Sequence, residues 1–295
     1  MKPKETEIKK WLENLSNVSL SIPDFVVPKN HIASGGQGVV YRGIMKEQDV
    51  AIKIYLPGQV QERIDREIKA LKKLNCYSIV KWLWDGKIVV GDFELIVVVT
   101  EYVNGVPLHK IIKARELDEN EISIITYDVT QAIKAMWGYR AVHRDLKPSN
   151  IILKPNGRAM VIDLGLARHL DESSITQFGA TWGTIGYLSP EQFRTTRQLT
   201  CKSDIFALGV IILECALGRH PTSKNQQVLE ATGFHEQLPE LMSDWTNVKI
   251  IKNMLHPRPT ARPKPEEIIK AFLNHAPNTS LNKRSKNLVD EQIVR

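Results

Sequence analysis

The chain has 295 residues, 42% of them hydrophobic and 25% charged, with a formal net charge of +7. That length suits one large domain or two small ones, and the composition is that of a globular chain with enough apolar residues to bury a core. The basic residues are spread along the chain and do not alternate with aromatic residues as base-stacking platforms would, which argues against nucleic acid as a partner. The local clusters Lys72-Lys73 and Lys283-Arg284 read as solvated faces. Three scattered cysteines, Cys76, Cys201 and Cys215, lack metal-ligand spacing and fit a reducing compartment. The charged stretch from Lys2 to Lys10 lacks the apolar core of a signal peptide. No apolar run reaches the ~20 residues that span a bilayer, so the expectation is a cytoplasmic protein without a membrane span.

In chain order, residues 4–16 place Ile8, Trp11, Leu12 and Leu15 on one helical face, with charges opposite. This amphipathic helix needs a cover, and the adjacent domain is the first choice over a partner protein or a membrane surface. Pro23 and Pro28 bracket an extended link containing Phe25, Val26 and Val27. Next, Ile32-Ala33-Ser34-Gly35-Gly36-Gln37-Gly38-Val39-Val40-Tyr41 sets glycines between two β-prone runs, a hairpin whose backbone can approach a ligand closely. Val50-Ala51-Ile52-Lys53 is a strand ending in a lysine. Residues 61–74 carry Ile64, Ile68, Leu71 and Leu74 at helical spacing, with Glu67 among them. Leu95 to Thr100 reads as a buried strand running into Glu101-Tyr102-Val103-Asn104-Gly105. Helices are expected over 106–114 and 119–140, the second presenting Ile122, Ile125, Val129, Ile133 and Met136 inward.

The octet His143-Arg144-Asp145-Leu146-Lys147-Pro148-Ser149-Asn150 packs an acid, a base and an amide together and is closed by Pro148, which cannot continue a helix. Short apolar strands follow, the second ending in Asp163-Leu164-Gly165. Two acids on loops beside short strands, with an asparagine between them, suit a divalent cation and a polyanionic substrate, since magnesium takes carboxylate and amide oxygens. From Leu166 to Ser189 the chain has little periodicity and many hydroxyls, and irregular stretches of that length usually signal function. Gly183-Thr184-Ile185-Gly186-Tyr187-Leu188-Ser189-Pro190-Glu191 closes it. The run from Ile205 to Leu217, interrupted by Glu214, reads as a buried helix that Ser203-Asp204 opens, and Thr260-Ala261-Arg262-Pro263 lies further on. Residues 276–295 are polar and basic and read as a mobile tail.

The octet resembles the catalytic loop of protein kinases, and Asp163-Leu164-Gly165 stands where that family has its metal-binding Asp-Phe-Gly. The resemblance covers about residues 30–273 and extends, through the Gly-Thr-Ile-Gly-Tyr-Leu-Ser-Pro-Glu wording, to the bacterial branch of the eukaryotic-type serine/threonine kinases. It implies an α+β, two-lobed kinase fold: a β-rich N-lobe with one helix at 26–100 and a mainly helical C-lobe at 101–275. The helical extension 1–25 precedes these lobes and the tail 276–295 follows them. It implies ATP and magnesium (or manganese) as cofactors and protein substrates, while the apolar face of the N-terminal helix leaves room for a regulatory partner.

By the same resemblance Asp145 accepts or orients the substrate hydroxyl's proton, Lys147 neutralises charge on the transferred phosphoryl, and Asn150 and Asp163 hold the metal. The hairpin of Ala33, Gly35, Gly38 and Val40 lies over ATP, with Ala51 beside it. Ala33 replaces the family's first glycine, so a stiffer loop is expected. Lys53 meets the phosphates and is oriented by Glu67, across a strand-to-helix gap shorter than usual around Pro57-Gly58. Glu101 and Val103 offer backbone groups to adenine, and Thr100 lines the back of the pocket. Structural roles fall to Asp204, capping the catalytic-loop backbone, to Glu191 paired with Arg262, and to Thr184, whose hydroxyl contacts Asp145 and Lys147. Arg144 pairs with a phosphate on the activation segment, for which Thr181 and then Thr176 are the first candidates, with Ser173 and Ser174 behind them.

Overall fold

The computed structural model describes residues 9, 10, 12, 25–26, 30–90, 93–164, 168–169, 183–194, 199–230, 234–236 and 242–275. The chain divides into two compact units, one formed by residues up to 72 with 80–103, the other by 73–79 with the residues from 104 onward. They have the make-up of the expected two-lobed kinase fold, an antiparallel sheet with one helix in the first and mainly helix in the second.

The sheet of the first unit runs β1 (Phe25–Val26), β3 (Gly38–Met45), β4 (Gln48–Tyr55), β6 (Phe93–Glu101), β5 (Trp82–Val90), with β2 (His31–Ser34) also paired to β3. Its β-branched strands alternate between faces, as a pleated backbone requires. One face carries Val39, Tyr41, Val50, Ile52, Ile54, Val97 and Val99, all buried, and Leu12 packs into this cluster with no exposed surface. Lys9, Lys10 and Leu12 are helical, so the described part of the N-terminal helix turns its apolar position onto this sheet, as its amphipathic pattern demanded. Ile8, Trp11 and Leu15 lie outside the described residues. Helix α1, Gln61–Lys73, starts three residues beyond Gly58 and buries Ile64, Glu67, Ala70 and Leu71.

In the second unit, β7 (Val106–Pro107) pairs with β9 (Ile151–Leu153), which pairs with β10 (Ala159–Val161). This corrects the reading of 106–114 as helix throughout: Val106 lies opposite Leu153, and helix α2 spans only Leu108–Ala114. Helix α3, Glu119–Gly138, begins at a capping box in which Asp118 accepts the Glu121 amide at 2.9 Å and Glu121 accepts the Asp118 amide at 3.1 Å. Strand β8 (Ala141–Val142) pairs with β11, Arg168–His169, a short strand inside the stretch read as irregular. Helix α4, Pro190–Phe193, is followed by α5, Cys201–Leu217, buried almost all round as its apolar run requires and stopped at Gly218 in the left-handed region. Short helices α6 (Gln226–Glu230), α7 (Val248–Met254) and α8 (Pro265–Ala271) complete the unit. Asp128 on α3 forms a buried ion pair with Arg158 and accepts the Ala159 amide at 2.8 Å, tying α3 to the β9–β10 hairpin. The tail 276–295 lies outside the described residues.

Candidate active site

In the first unit, strand register decides which side chains gather. Residues paired directly across antiparallel strands share a face. Ala33 lies opposite Val40, Val40 opposite Lys53, and Ala51 opposite Thr100. Ala33, Val40, Ala51, Lys53 and Thr100 therefore stand on one face, the one opposite the Leu12 cluster. Lys53 Nζ reaches Glu67 Oε1 at 3.1 Å and Oε2 at 3.3 Å. The Glu67 side chain is only 4% exposed and also accepts the Tyr55 hydroxyl at 2.5 Å, so its oxygens are held from two sides. The hairpin is built on Gly38, where a β-carbon would sit 2.3 Å from the Ile54 carbonyl oxygen, too close for any other residue. Gly35 and Gly36 have open space around them, and Ala33, which stands in place of a glycine, is exposed.

At the end of β6 the Glu101 amide donates to the Lys81 carbonyl at 2.9 Å and the Tyr102 amide to the Asp49 carbonyl at 3.2 Å. These two N–H groups belong to the sheet.

In the second unit the octet is a loop held from below. The buried Asp204 carboxylate, in the first turn of α5, accepts the His143 amide at 2.8 Å and the Arg144 amide at 2.9 Å. Burial pushes the Asp204 pKa up, against the nearby positive charge and these N–H bonds. Arg144 has φ 71°, a conformation a non-glycine residue adopts only when its surroundings hold it there, and its carbonyl accepts Gln192 Nε2 at 2.9 Å. Gly183, at φ 124°, packs so closely that a β-carbon would lie 2.7 Å from that same carbonyl.

Beside it, the Thr184 hydroxyl donates to Asp145 Oδ1 at 2.7 Å and accepts from Lys147 Nζ at 2.7 Å, while Lys147 reaches Asp145 Oδ2 at 2.8 Å. Asp145, Lys147 and Thr184 thus close a triangle across 39 residues of chain. Asn150 Nδ2 donates to the Asp145 carbonyl at 3.0 Å, which commits the amide nitrogen and leaves its oxygen as acceptor. The Ile162 amide donates to the Asn150 carbonyl at 3.0 Å, and Val161 lies opposite Ile151. That register brings Asp163 to the strand end beside Asn150. A carboxylate and a carboxamide oxygen are the hard donors that suit magnesium or manganese. Among the described residues no group of three or more His, Cys, Asp or Glu side chains is disposed to hold a metal.

Glu191 and Arg262 form a bidentate pair at 2.7 and 2.9 Å, and Ser203 adds a hydroxyl donor to Glu191 at 2.8 Å. The Arg262 side chain is fully buried and gives its remaining N–H groups to the carbonyls of His256, Lys202 and Pro257. Burial works to raise the Glu191 pKa, but the bond and charge of Arg262 prevail and hold it low. Gly165 and the candidates Ser173, Ser174, Thr176 and Thr181 lie outside the described residues.

Several positioning groups escaped the sequence reading. Gln192 both accepts at Ser189 and grips Arg144, and its place three residues after Ser189 is a capping-box spacing that could have revealed it. Tyr187 donates to Glu214 at 2.6 Å, and Gln226 bonds the backbones of Gly186 and Leu188. No local signal marks those pairings.

Comparison with known proteins agrees with this geometry. The protein kinase domain family matches residues 26–273, and the chain belongs to that family. It is 33% identical over 224 residues to the "Probable serine/threonine-protein kinase PknB" of Lactococcus lactis, covering 72% of this chain and 35% of that protein. It is 34% identical over 198 residues to serine/threonine-protein kinase PrkC of Bacillus subtilis, covering 64% and 30% respectively. Over 219 residues it is 33% identical to calmodulin-binding receptor-like cytoplasmic kinase 3 of Arabidopsis thaliana, covering 70% and 42%. The matched region is thus less than half the length of each of these relatives. Among the described residues no helix is long and apolar enough to cross a membrane.

Proposed function

We propose that the chain transfers the terminal phosphoryl group of ATP to serine or threonine hydroxyls of proteins. The Thr184 hydroxyl carries the reading: it donates to the Asp145 carboxylate and accepts from the Lys147 ammonium, each at 2.7 Å. A substrate hydroxyl would find the same two partners, an acceptor for its proton and a cation for the charge that develops on the phosphoryl oxygens. Phosphoryl transfer asks mainly for positioning and electrostatics, which two charged side chains on a braced loop supply. Asn150 and Asp163 are the residues to hold magnesium or manganese, which when bound neutralises phosphate charge. In the other unit, Lys53, oriented by Glu67, meets the phosphates beneath the glycine hairpin, and the Glu101 carbonyl and Val103 amide meet the adenine edge. The free thiols Cys76, Cys201 and Cys215 favour a cytoplasmic setting.

The test is phosphate transfer from labelled ATP with magnesium to a generic protein acceptor. Asp145→Asn should lower turnover by ~10²–10⁴-fold, the usual contribution of a positioned acid–base group, while ATP still binds. A wild-type protein that binds ATP but transfers nothing, or an Asp145→Asn variant with undiminished turnover, overturns the assignment.

A further inference from the structure

Lys53 has a further partner that no kinase motif names. Its Nζ contacts Gln37 Oε1 at 3.4 Å, in addition to both oxygens of Glu67. An ammonium only donates, so the Gln37 carboxamide must present its oxygen to the lysine, with its NH₂ turned away. The backbone keeps Gln37 there. Its carbonyl accepts the Leu56 amide at 2.9 Å, the Gly36 carbonyl accepts Gln59 Nε2 at 3.2 Å, and Gly35 N donates to the Gly38 carbonyl at 2.9 Å. The hairpin tip is thereby fastened to residues 56–59, the short connection that leads to the helix bearing Glu67.

The two sets of oxygens on Lys53 differ in kind. Glu67 is charged, bidentate and buried, and is held in addition by Tyr55. Gln37 is neutral, half-buried, and at the long edge of hydrogen-bonding distance. An incoming anion would displace Gln37 and leave Glu67 in place. A carboxamide oxygen directed at an ammonium from a glycine hairpin also offers what a phosphate oxygen offers, with less charge.

We propose that Gln37 is an internal stand-in for phosphate: its carboxamide oxygen occupies the place on Lys53 that a nucleotide phosphate takes, so nucleotide must displace it in order to bind. Gln37 acts through Lys53 and sets nucleotide affinity as a positioning residue. The inference rests on the reading of Lys53 as a phosphate contact.

The experiment measures ADP affinity of the full chain by calorimetry without added metal. Gln37→Leu removes the competing oxygen and should tighten ADP ~3–10-fold, the range for one ordinary net hydrogen bond, since this one is long. Gln37→Glu replaces a weak stand-in with a charged one that also repels phosphate, and should weaken ADP by more than ~10-fold. In a Lys53→Met background the leucine effect should vanish, and the glutamate variant should keep only its direct repulsion of phosphate. Gln37→Leu binding ADP no more tightly than wild type, Gln37→Glu binding as wild type does, or the leucine effect persisting without the lysine would overturn the proposal. If Lys53→Met alone leaves ADP affinity unchanged, the phosphate reading of Lys53 fails, and the stand-in falls with it for that separate reason. A loop that Gln37 merely stiffens would not respond with opposite signs to leucine and glutamate.

Discussion

Replacing Asp204 by asparagine tests whether the catalytic-loop geometry is imposed from below. The carboxylate accepts two backbone amides, at 2.8 and 2.9 Å, inside a site closed to water. Asparagine keeps one acceptor oxygen and turns an NH₂ toward the other amide. One charge-assisted bond is lost, ~1.5–3 kcal/mol, and one buried N–H is stranded, ~1–3 kcal/mol. Relief from burying a carboxylate offsets part of this, so the net loss should be about 2–3 kcal/mol, at the upper end of ordinary single substitutions. The loss has a direction as well as a size. Arg144 sits at φ 71°, a conformation that costs on the order of 1–3 kcal/mol and that the clamp sustains. Once released, Arg144 relaxes and carries the neighbouring Asp145 off its bonds to Thr184 and Lys147. Urea unfolding should register the stability loss, and steady-state kinetics should show kcat falling while KM for ATP holds, because the residues assigned to ATP lie in the other unit. An Asp204→Asn enzyme as stable and as fast as wild type would refute the clamp. So would a variant whose only defect is a raised KM for ATP.

Two further outcomes follow from burial. Leu12→Ala should cost about 2–5 kcal/mol in urea unfolding, as truncating a fully buried leucine does; an unchanged midpoint would mean that the N-terminal helix does not contribute to the sheet core. Asp128 has a carboxyl that burial pushes up to about 6 from an ordinary 3.8, against the pull of Arg158. A folded pKa above the unfolded one makes a contribution that is full below pH 3.8 and lost as pH rises through about 6. The stability advantage of wild type over Asp128→Asn should therefore shrink by up to about 3 kcal/mol between pH 4 and pH 7, at 1.36 kcal/mol per pKa unit. An advantage equal at both pH values would show that burial does not shift this carboxyl.

What could be read in advance depended on how far apart the cooperating residues lie and whether a pattern names them. The octet compresses its acid, base and amide into eight neighbouring positions, and Glu67 is picked out by the family resemblance, which sets a helix glutamate against Lys53. Val106–Pro107 reads as a helix start in isolation and becomes strand only because Leu153 lies opposite, a partner 47 residues away. Tyr187 with Glu214 and Asp128 with Arg158 are pairings across 27 and 30 residues that obey no local periodicity. Gln37 fell between these cases. Its neighbours were read correctly as a hairpin, but the pattern speaks of glycines, whose value is the absence of a side chain. The one side chain the tip does carry is held against Lys53 through bonds to Leu56 and Gln59, beyond the end of the next strand. A motif records where the backbone must come close to a ligand. The side chain that fills that space beforehand depends on packing around it, and only the folded structure supplies that.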